Sequence, residues 1–311
     1  MKLAVFAYHD IGFECLDFLV QAKDEIIAVV THEDDPNEEI WFRSVADLAR
    51  RRALPLYQPE NPNAPDFIDM IRSAGPDIIL SFYYRLLLSK ELLAIPPLGA
   101  MNLHGSLLPR YRGRAPVNWV LVNGETETGV SLHHMVEKAD AGDIVAQKRV
   151  AIDRADTALT LYRKLTQAAR ELLEETYPAI QAGKAPRIHQ DARLATKFGG
   201  RRPEDGKIEW EMPAPVIYNL IRAVTHPYPG AFTIHRGKKL FVWWAVVESD
   251  DRVREAPGTI LAIEMGSGVV VATGAGRLLL KRLQLEGEEE LPADLFAERQ
   301  GLRIGVRLEA P

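Results

Sequence analysis

The rhythm of apolar and polar positions changes character late in the chain. Up to about Gln181, short β-branched runs alternate with amphipathic stretches. Lys2–Ala7, Ile26–Thr31, Asp77–Phe82 and Ala100–His104 are near-continuously apolar and bounded by turn residues, which predicts buried strands. Ile11–Ala22, Ser44–Arg52, Pro65–Ala74 and Pro116–Asn123 between them predict helices or helical turns. Gly129–Met135 and Ile144–Ile152 add strands, and Thr157–Gln181 adds a long helix with Asp156 or Thr157 as its N-cap. Strand and helix in alternation predict a parallel α/β domain.

From about Ala182 to Gly206 the residues turn to Gly, Pro, Lys and Arg, including Gly199-Gly200-Arg201-Arg202-Pro203, and this stretch reads as a linker. Beyond it, one helix over Ala214–Val224 precedes short recurring strands: Ala231–His235, Lys239–Val247, Gly258–Glu264, Gly268–Ala272 and Leu278–Leu285. Turns such as Arg236-Gly237 and Gly274-Ala275-Gly276 separate them, which predicts a small antiparallel barrel. The expected organisation is a larger domain over residues 1–203 and a smaller one over 204–311. A length of 311 residues exceeds what one core usually holds, which agrees with two domains.

Composition narrows the classes. The single cysteine, Cys15, excludes an internal disulfide; its apolar helical setting predicts packing, and a lone thiol fits a reducing cytoplasm. The apolar start ends at Tyr8-His9-Asp10, too short for a signal peptide or membrane span, and no later run is long enough. A formal charge of −5 argues against a nucleic-acid or anionic-membrane partner, since both select basic surfaces. There is no Walker loop, and Tyr8-His9-Asp10-Ile11-Gly12 follows the first strand where a dinucleotide site would place a glycine triplet, so triphosphate and nicotinamide chemistry are set aside. The eight histidines never meet cysteine or each other at helical metal-ligand spacing, and no metal is expected. His133 and His134 are adjacent on a strand, which predicts one packed ring and one facing solvent. The run Glu286-Gly287-Glu288-Glu289-Glu290 reads as a solvated loop.

The candidate chemistry lies at the end of the fourth strand. Asn102 and His104 are two residues apart, so strand geometry puts a carboxamide and an imidazole on one face. An amide donates to a developing oxyanion and an imidazole moves a proton at neutral pH; a carboxylate such as Asp140 could hold the ring in one tautomer and favour its charged form. An isolated Asn-x-His is more often structural. The loop that follows changes the weighing: two glycines and two prolines fix an irregular backbone over Gly105–Pro116, and Arg110, Arg112 and Arg114 add positive charge where a parallel sheet binds ligands.

Asn102-Leu103-His104-Gly105-Ser106-Leu107-Leu108-Pro109, then Tyr111-Arg112-Gly113, then Asp140 in Ala139-Asp140-Ala141-Gly142-Asp143-Ile144, resemble the formyltransferases that use 10-formyltetrahydrofolate. The resemblance extends over Phe6–Asp10, Ser81–Arg85, Val117–Gly129 and Pro227–Phe232. It implies an α/β fold, with a Rossmann-like formyltransferase domain and a smaller C-terminal OB-like β-barrel domain. It makes Asn102, His104 and Asp140 the catalytic trio. It places the folate against the backbone of Leu86, Leu87 and Leu88, the Arg114 side chain, and Val136, Glu137, Lys138, Ala139 and Asp140. The reaction needs neither a metal nor a covalent intermediate.

Within the family the likeness is nearest to the branch that formylates UDP-4-amino-4-deoxy-L-arabinose, a cytoplasmic step of lipid A modification in polymyxin resistance. That branch continues into an NAD-dependent decarboxylase, whereas this sequence stops at Pro311, so transfer activity alone is expected. Tyr8, His9 and Asp10 are candidates for recognising the nucleotide sugar. Three alternatives stand beside this reading. Methionyl-tRNA formyltransferase shares the trio but usually carries a basic insertion after the second strand, where this chain has the acidic Glu33–Glu39 stretch. Hydrolysis of formyltetrahydrofolate would use the same trio on water. A non-catalytic folate or nucleic-acid binding module is the third.

Overall fold

The computed structural model describes residues 1–35, 39–249, 251 and 253–308. Residues 36–38, inside the acidic Glu33–Glu39 stretch, lie outside the described residues. In chain order the first elements are β1 (Lys2–Ala7), α1 (His9–Gln21), β2 (Glu25–Val30), α2 (Val45–Arg51), β3 (Leu56–Tyr57), α3 (Pro65–Ala74), β4 (Ile78–Phe82), α4 (Lys90–Leu93) and β5 (Ala100–His104). Next come β6 (Arg112–Gly113), α5 (Pro116–Val122), β7 (Glu127–His134), β8 (Ile144–Ala151), α6 (Ala158–Gln181) and β9 (Lys197–Phe198). The remainder is α7 (Ala214–Val224), β10 (Ala231–His235), β11 (Lys238–Ser249), β12 (Ile260–Glu264), β13 (Gly268–Ala272), β14 (Arg277–Leu285), β15 (Leu291–Pro292) and α8 (Ala293–Gln300). The chain divides into two compact units, one of Met1–Pro116, Glu127–Ile152 and Tyr162–Gly199, the other of Val117–Thr126, Asp153–Leu161 and Gly200–Pro311.

The first unit is built on a seven-stranded sheet in the order β3-β2-β1-β4-β5-β7-β8. Leu3, Ala4, Val5, Phe6 and Ala7 of β1 are fully buried, as a strand covered on both faces requires. β3 through β5 are parallel, matching the predicted alternation. The parallel expectation fails at β7 and β8, which run antiparallel to their neighbours. For the β7–β8 pair the reason is the connection: from β7 to β8 the chain passes only Met135–Asp143, too short for a helical crossover. Helix ends follow their sequence signals. The Ser44 side chain accepts from the Asp47 N–H at the start of α2, and α3 begins with Pro65 and ends at Gly75 in the left-handed region.

The second unit carries an antiparallel sheet, β10-β11-β14-β13-β12, with β15 also pairing β14. Thr157 caps the residues that open α6: its hydroxyl accepts from the Thr160 N–H at 3.3 Å, while Asp156 takes the Thr160 hydroxyl at 2.9 Å. The sequence pattern did not foretell α8. Its apolar face is short, and Ala293, Phe296 and Ala297 are its buried contribution. Among the described residues no helix is long and apolar enough to cross a membrane.

Candidate active site

The strand order reverses at β1 and β4. From β1 the chain winds outward through β2 to β3, then returns past β1 to lay down β4 and β5, which opens a crevice at the carboxyl ends of these strands. Asn102 and His104 lie at that end of β5. Asn102 stands opposite Ser81 of β4 on one side and His133 of β7 on the other, and His104 stands opposite Ser131.

Each polar atom of this group is constrained by its neighbours. His104 Nε2 lies 2.8 Å from the Tyr111 carbonyl. A carbonyl only accepts, so Nε2 carries the proton, and Nδ1 is the nitrogen directed at Asp140, 3.6 Å from Oδ1. That separation is an electrostatic contact, too long for a hydrogen bond. The other carboxylate oxygen, Oδ2, accepts from the Gly113 N–H at 2.8 Å, and Asp140 itself sits at φ +56°. His104 is 7 % exposed, so its charge would be poorly screened by water.

A second imidazole completes the group. His133 Nδ1 donates to the His134 carbonyl at 2.9 Å, which leaves Nε2 as an acceptor, and the Asn102 amide nitrogen donates to it at 3.2 Å. His133 Nε2 also lies 3.7 Å from Asp140 Oδ1. Burial pushes the His133 pKa down to about 4, against the opposing pull of the His134 carbonyl and Asp140, so the ring is neutral at physiological pH. The expectation for the histidine pair is corrected here: both are buried, because the sheet at β7 is covered on both faces. His134 turns the other way and donates from Nε2 to the Pro186 carbonyl at 3.0 Å.

The loop after β5 is held by the segment read as a linker. Arg112 N donates to Thr196 O at 2.9 Å, Tyr111 N to Thr196 Oγ1 at 2.8 Å and Arg114 N to Phe198 O at 3.1 Å, so β6 and β9 pair in parallel. The Tyr111 ring stacks on Phe198 with centroids 4.9 Å apart. Gly113 needs its identity. Its φ is +101°, and a Cβ there would collide with the Phe198 carbonyl. Gln190, 3 % exposed, ties the loop to the aspartate: its oxygen accepts from Arg112 Nη2 at 2.6 Å and its nitrogen donates to the Asp140 carbonyl at 2.9 Å and the Gly142 carbonyl at 2.6 Å.

The three arginines therefore differ. Arg112 is buried and engaged by Gln190, which corrects the reading of it as ligand-facing charge; the Arg110 guanidinium lies over the Tyr111 ring, and Arg114 is exposed. Of the residues implied in folate contact, Leu86 and Leu87 are exposed, while the Leu88 side chain is buried in the cluster formed with Phe6, Ile79, Leu92 and Ala100. Met135 packs against the same cluster, so the segment after β4 and the segment entering Val136–Asp140 share one side of the sheet. Val136, Glu137 and Lys138 are exposed, and Ala139 and Asp140 are half-buried.

At the end of β1, Tyr8 donates to Asp34 at 2.9 Å and Asp10 is paired with Arg43 at 2.7 Å. His9 lies against Phe42, centroids 3.7 Å apart, and burial, then Arg85 and His32, push its pKa down to about 3. Its Nε2 faces Arg85 at 3.2 Å, whereas its buried Nδ1 has no hydrogen-bond partner among the described residues.

Sequence reasoning brought Asn102, His104 and Asp140 together and missed His133, Gln190, Thr196 and Phe198. The period-two alternation along Gly129–His134 was the available signal for His133, since it puts His133 and Ser131 on one face of β7. No local signal marks the others; Gln190 reaches Arg112 over 78 residues of separation and Thr196 reaches Tyr111 over 85.

Residues 1–177 match the model of the formyl transferase family, and residues 201–301 match that of the formyl transferase C-terminal domain. Among solved structures, the N-formyltransferase from Helicobacter canadensis in complex with folinic acid and dTDP-3-aminofucose is similar at 19% identity and a TM-score of 0.70, over 90% of this chain and 98% of that one. HypX from Aquifex aeolicus in complex with tetrahydrofolic acid is similar at 17% identity and a TM-score of 0.65, over 98% of this chain and 48% of that one, so the chain spans about half the length of HypX. The methionyl-tRNA formyltransferase from Clostridium thermocellum is similar at 17% identity and a TM-score of 0.57, over 80% of this chain and 94% of that one. At these identities the likeness is one of fold.

Proposed function

The chain belongs to the formyl transferase family, and on that premise we propose that Asn102, His104 and Asp140 transfer a formyl group from 10-formyltetrahydrofolate to the amine of a nucleotide-linked amino sugar, UDP-4-amino-4-deoxy-L-arabinose. The observation that carries the reading is the arrangement at the end of β5. An amide nitrogen, an imidazole nitrogen and a carboxylate oxygen come together there, with His104 Nδ1 3.6 Å from Asp140 Oδ1 and the Asn102 amide nitrogen 3.2 Å from His133 Nε2.

The chemistry follows from these atoms. A neutral amine attacks the formyl carbon, and the carbonyl oxygen takes up negative charge. One Asn102 N–H is held by His133, and the second, which has no protein partner among the described residues, donates to that oxyanion. His104 Nδ1 takes a proton from the attacking nitrogen and returns it to N10 of tetrahydrofolate as the carbon–nitrogen bond breaks. While the imidazole carries that proton it is a cation, and Asp140 lowers the energy of this state across a poorly hydrated gap. The Tyr111 carbonyl fixes which nitrogen does the work.

Exposed Leu86 and Leu87, Arg114 and Val136–Asp140 offer the donor an apolar edge and a cation for its carboxylates. The unpartnered His9 Nδ1 and the exposed Arg85 at the β1–β4 crevice suit a nucleotide diphosphate. Glu33, Asp34, Asp35 and Glu39, near the same strand ends, oppose a polyanion such as tRNA. In this reading the product serves lipid A modification and polymyxin resistance, in the cytoplasm.

A competition tests it. The enzyme is offered methionyl-tRNA and UDP-4-amino-4-deoxy-L-arabinose at equal concentration with labelled formyl donor, and label is expected in the sugar. Label mainly in methionyl-tRNA would overturn the acceptor, and release of tetrahydrofolate at the same rate without any amine would replace transfer by hydrolysis.

A further inference from the structure

We infer that His133 is a positioning residue that sets which end of the Asn102 carboxamide faces the substrate. The inference rests on the reading of Asn102 as the oxyanion donor. A carboxamide is nearly symmetric in shape, but its two ends are opposite in function. With nitrogen toward the crevice it stabilises an oxyanion; with oxygen toward the crevice it repels one. Packing alone barely distinguishes the two orientations, so a hydrogen-bond partner of fixed polarity has to do so.

His133 supplies that polarity through the backbone. Its Nδ1–H is committed to the His134 carbonyl at 2.9 Å, a partner that only accepts, so Nε2 can present only a lone pair. Asn102 must turn its nitrogen toward it, as the 3.2 Å contact records. The flipped amide would set two lone pairs against each other at that distance. The ring has little freedom to yield, being 2 % exposed on a strand paired on both sides. Its position opposite Asn102 is fixed by the β5–β7 register, in which Asn102 pairs with His133.

Protonation of the ring would undo the device. An imidazolium has no lone pair at Nε2; it would repel the amide N–H and draw toward Asp140 Oδ1, 3.7 Å away. Burial, which keeps the ring neutral, therefore serves the amide it orients.

The test uses two variants and a cycle. His133→Leu removes the acceptor and frees the amide to rotate. His133→Gln restores an acceptor, because a glutamine oxygen reaches about as far as Nε2. Losing an oxyanion donor outright, as in Asn102→Ala, costs about a hundred- to a thousandfold in kcat, so His133→Leu, which leaves the amide in place but disoriented, is expected to lower kcat by about ten- to a hundredfold. KM for both substrates should stay within about threefold, and His133→Gln should recover kcat to within about fivefold of the parent. On the Asn102→Ala background, His133→Leu should cost no more than about twofold further, since nothing remains to be oriented. An equal loss in both backgrounds, or a folded His133→Gln enzyme as slow as His133→Leu, would overturn the inference. Normal turnover in Asn102→Ala would remove the reading beneath it instead.

Discussion

Lowering the pH from about 7.5 to about 5 should destabilise the first unit through two buried imidazoles. His9 and His133 have pKa values pushed down to about 3 and about 4, in both cases chiefly by burial. In the unfolded chain both return to about 6.5. The folded values are depressed, so the unfolded state binds more protons in the interval between them. The stability these rings allow is complete above about pH 6.5 and is lost as the pH falls toward 4. At pH 5 both folded rings are still neutral, so the loss depends only on the unfolded imidazole: about 1.5 pH units at 1.36 kcal/mol each, or about 2 kcal/mol per histidine and about 4 kcal/mol for the pair. His32 and His134 are shifted in the same direction, with burial again the first cause, and add to the trend after discounting for their contact with solvent. Urea unfolding followed by circular dichroism at the two pH values measures the sum. His133→Gln cannot titrate and should show a drop smaller by about 2 kcal/mol than the parent. An unfolding free energy constant to within about 1 kcal/mol across the interval, or identical pH slopes for the parent and His133→Gln, would refute the argument.

Further outcomes are expected. His104→Ala should lower kcat by about two to four orders of magnitude in a stopped assay of tetrahydrofolate release, the range for losing a general acid and base, with donor binding retained. Asp140→Asn, which removes the charge opposite His104 Nδ1 while keeping an acceptor for the Gly113 N–H, should lower kcat more than it raises either KM. Gly113→Ala forces a left-handed backbone and a collision with the Phe198 carbonyl, so calorimetry should show a loss of about 1–3 kcal/mol, and activity should fall with it. The boundary proposed at residue 203 predicts first cleavage by a dilute protease within the exposed Gly199–Glu204 stretch, read by mass spectrometry.

What was legible in the sequence was what depends on neighbours in the chain. β1, α3, β5 and α7 fall at their predicted limits, because each is a run of one period closed by its own turn or capping residues. The pairing of Asn102 with His104 was legible for the same reason. Strand direction was not: a run such as Glu127–His134 looks the same whether it pairs parallel or antiparallel, and only the short passage to β8 decides it. Likewise, Gln190, Thr196 and Phe198 stand in a Gly-, Lys- and Arg-bearing stretch whose composition is that of a loop. Their function lies in hydrogen bonds to Arg112, Tyr111 and Arg114, and a backbone pairing of two residues leaves no periodic trace. Arg112 lies in β6 and Arg114 two residues on, just past its end, and the first is buried while the second is exposed.

The pairing of β6 with β9 also bears on how the protein is made. A ribosome releases Asn102, His104 and Asp140 early, yet Tyr111, whose carbonyl holds His104 Nε2, is anchored by Thr196 and Phe198. A nascent chain ended at residue 177 already contains every residue of the trio and lacks the clasp that arranges them. Thr196 and Phe198 are thus the last residues of this arrangement to be made, some fifty residues after Asp140.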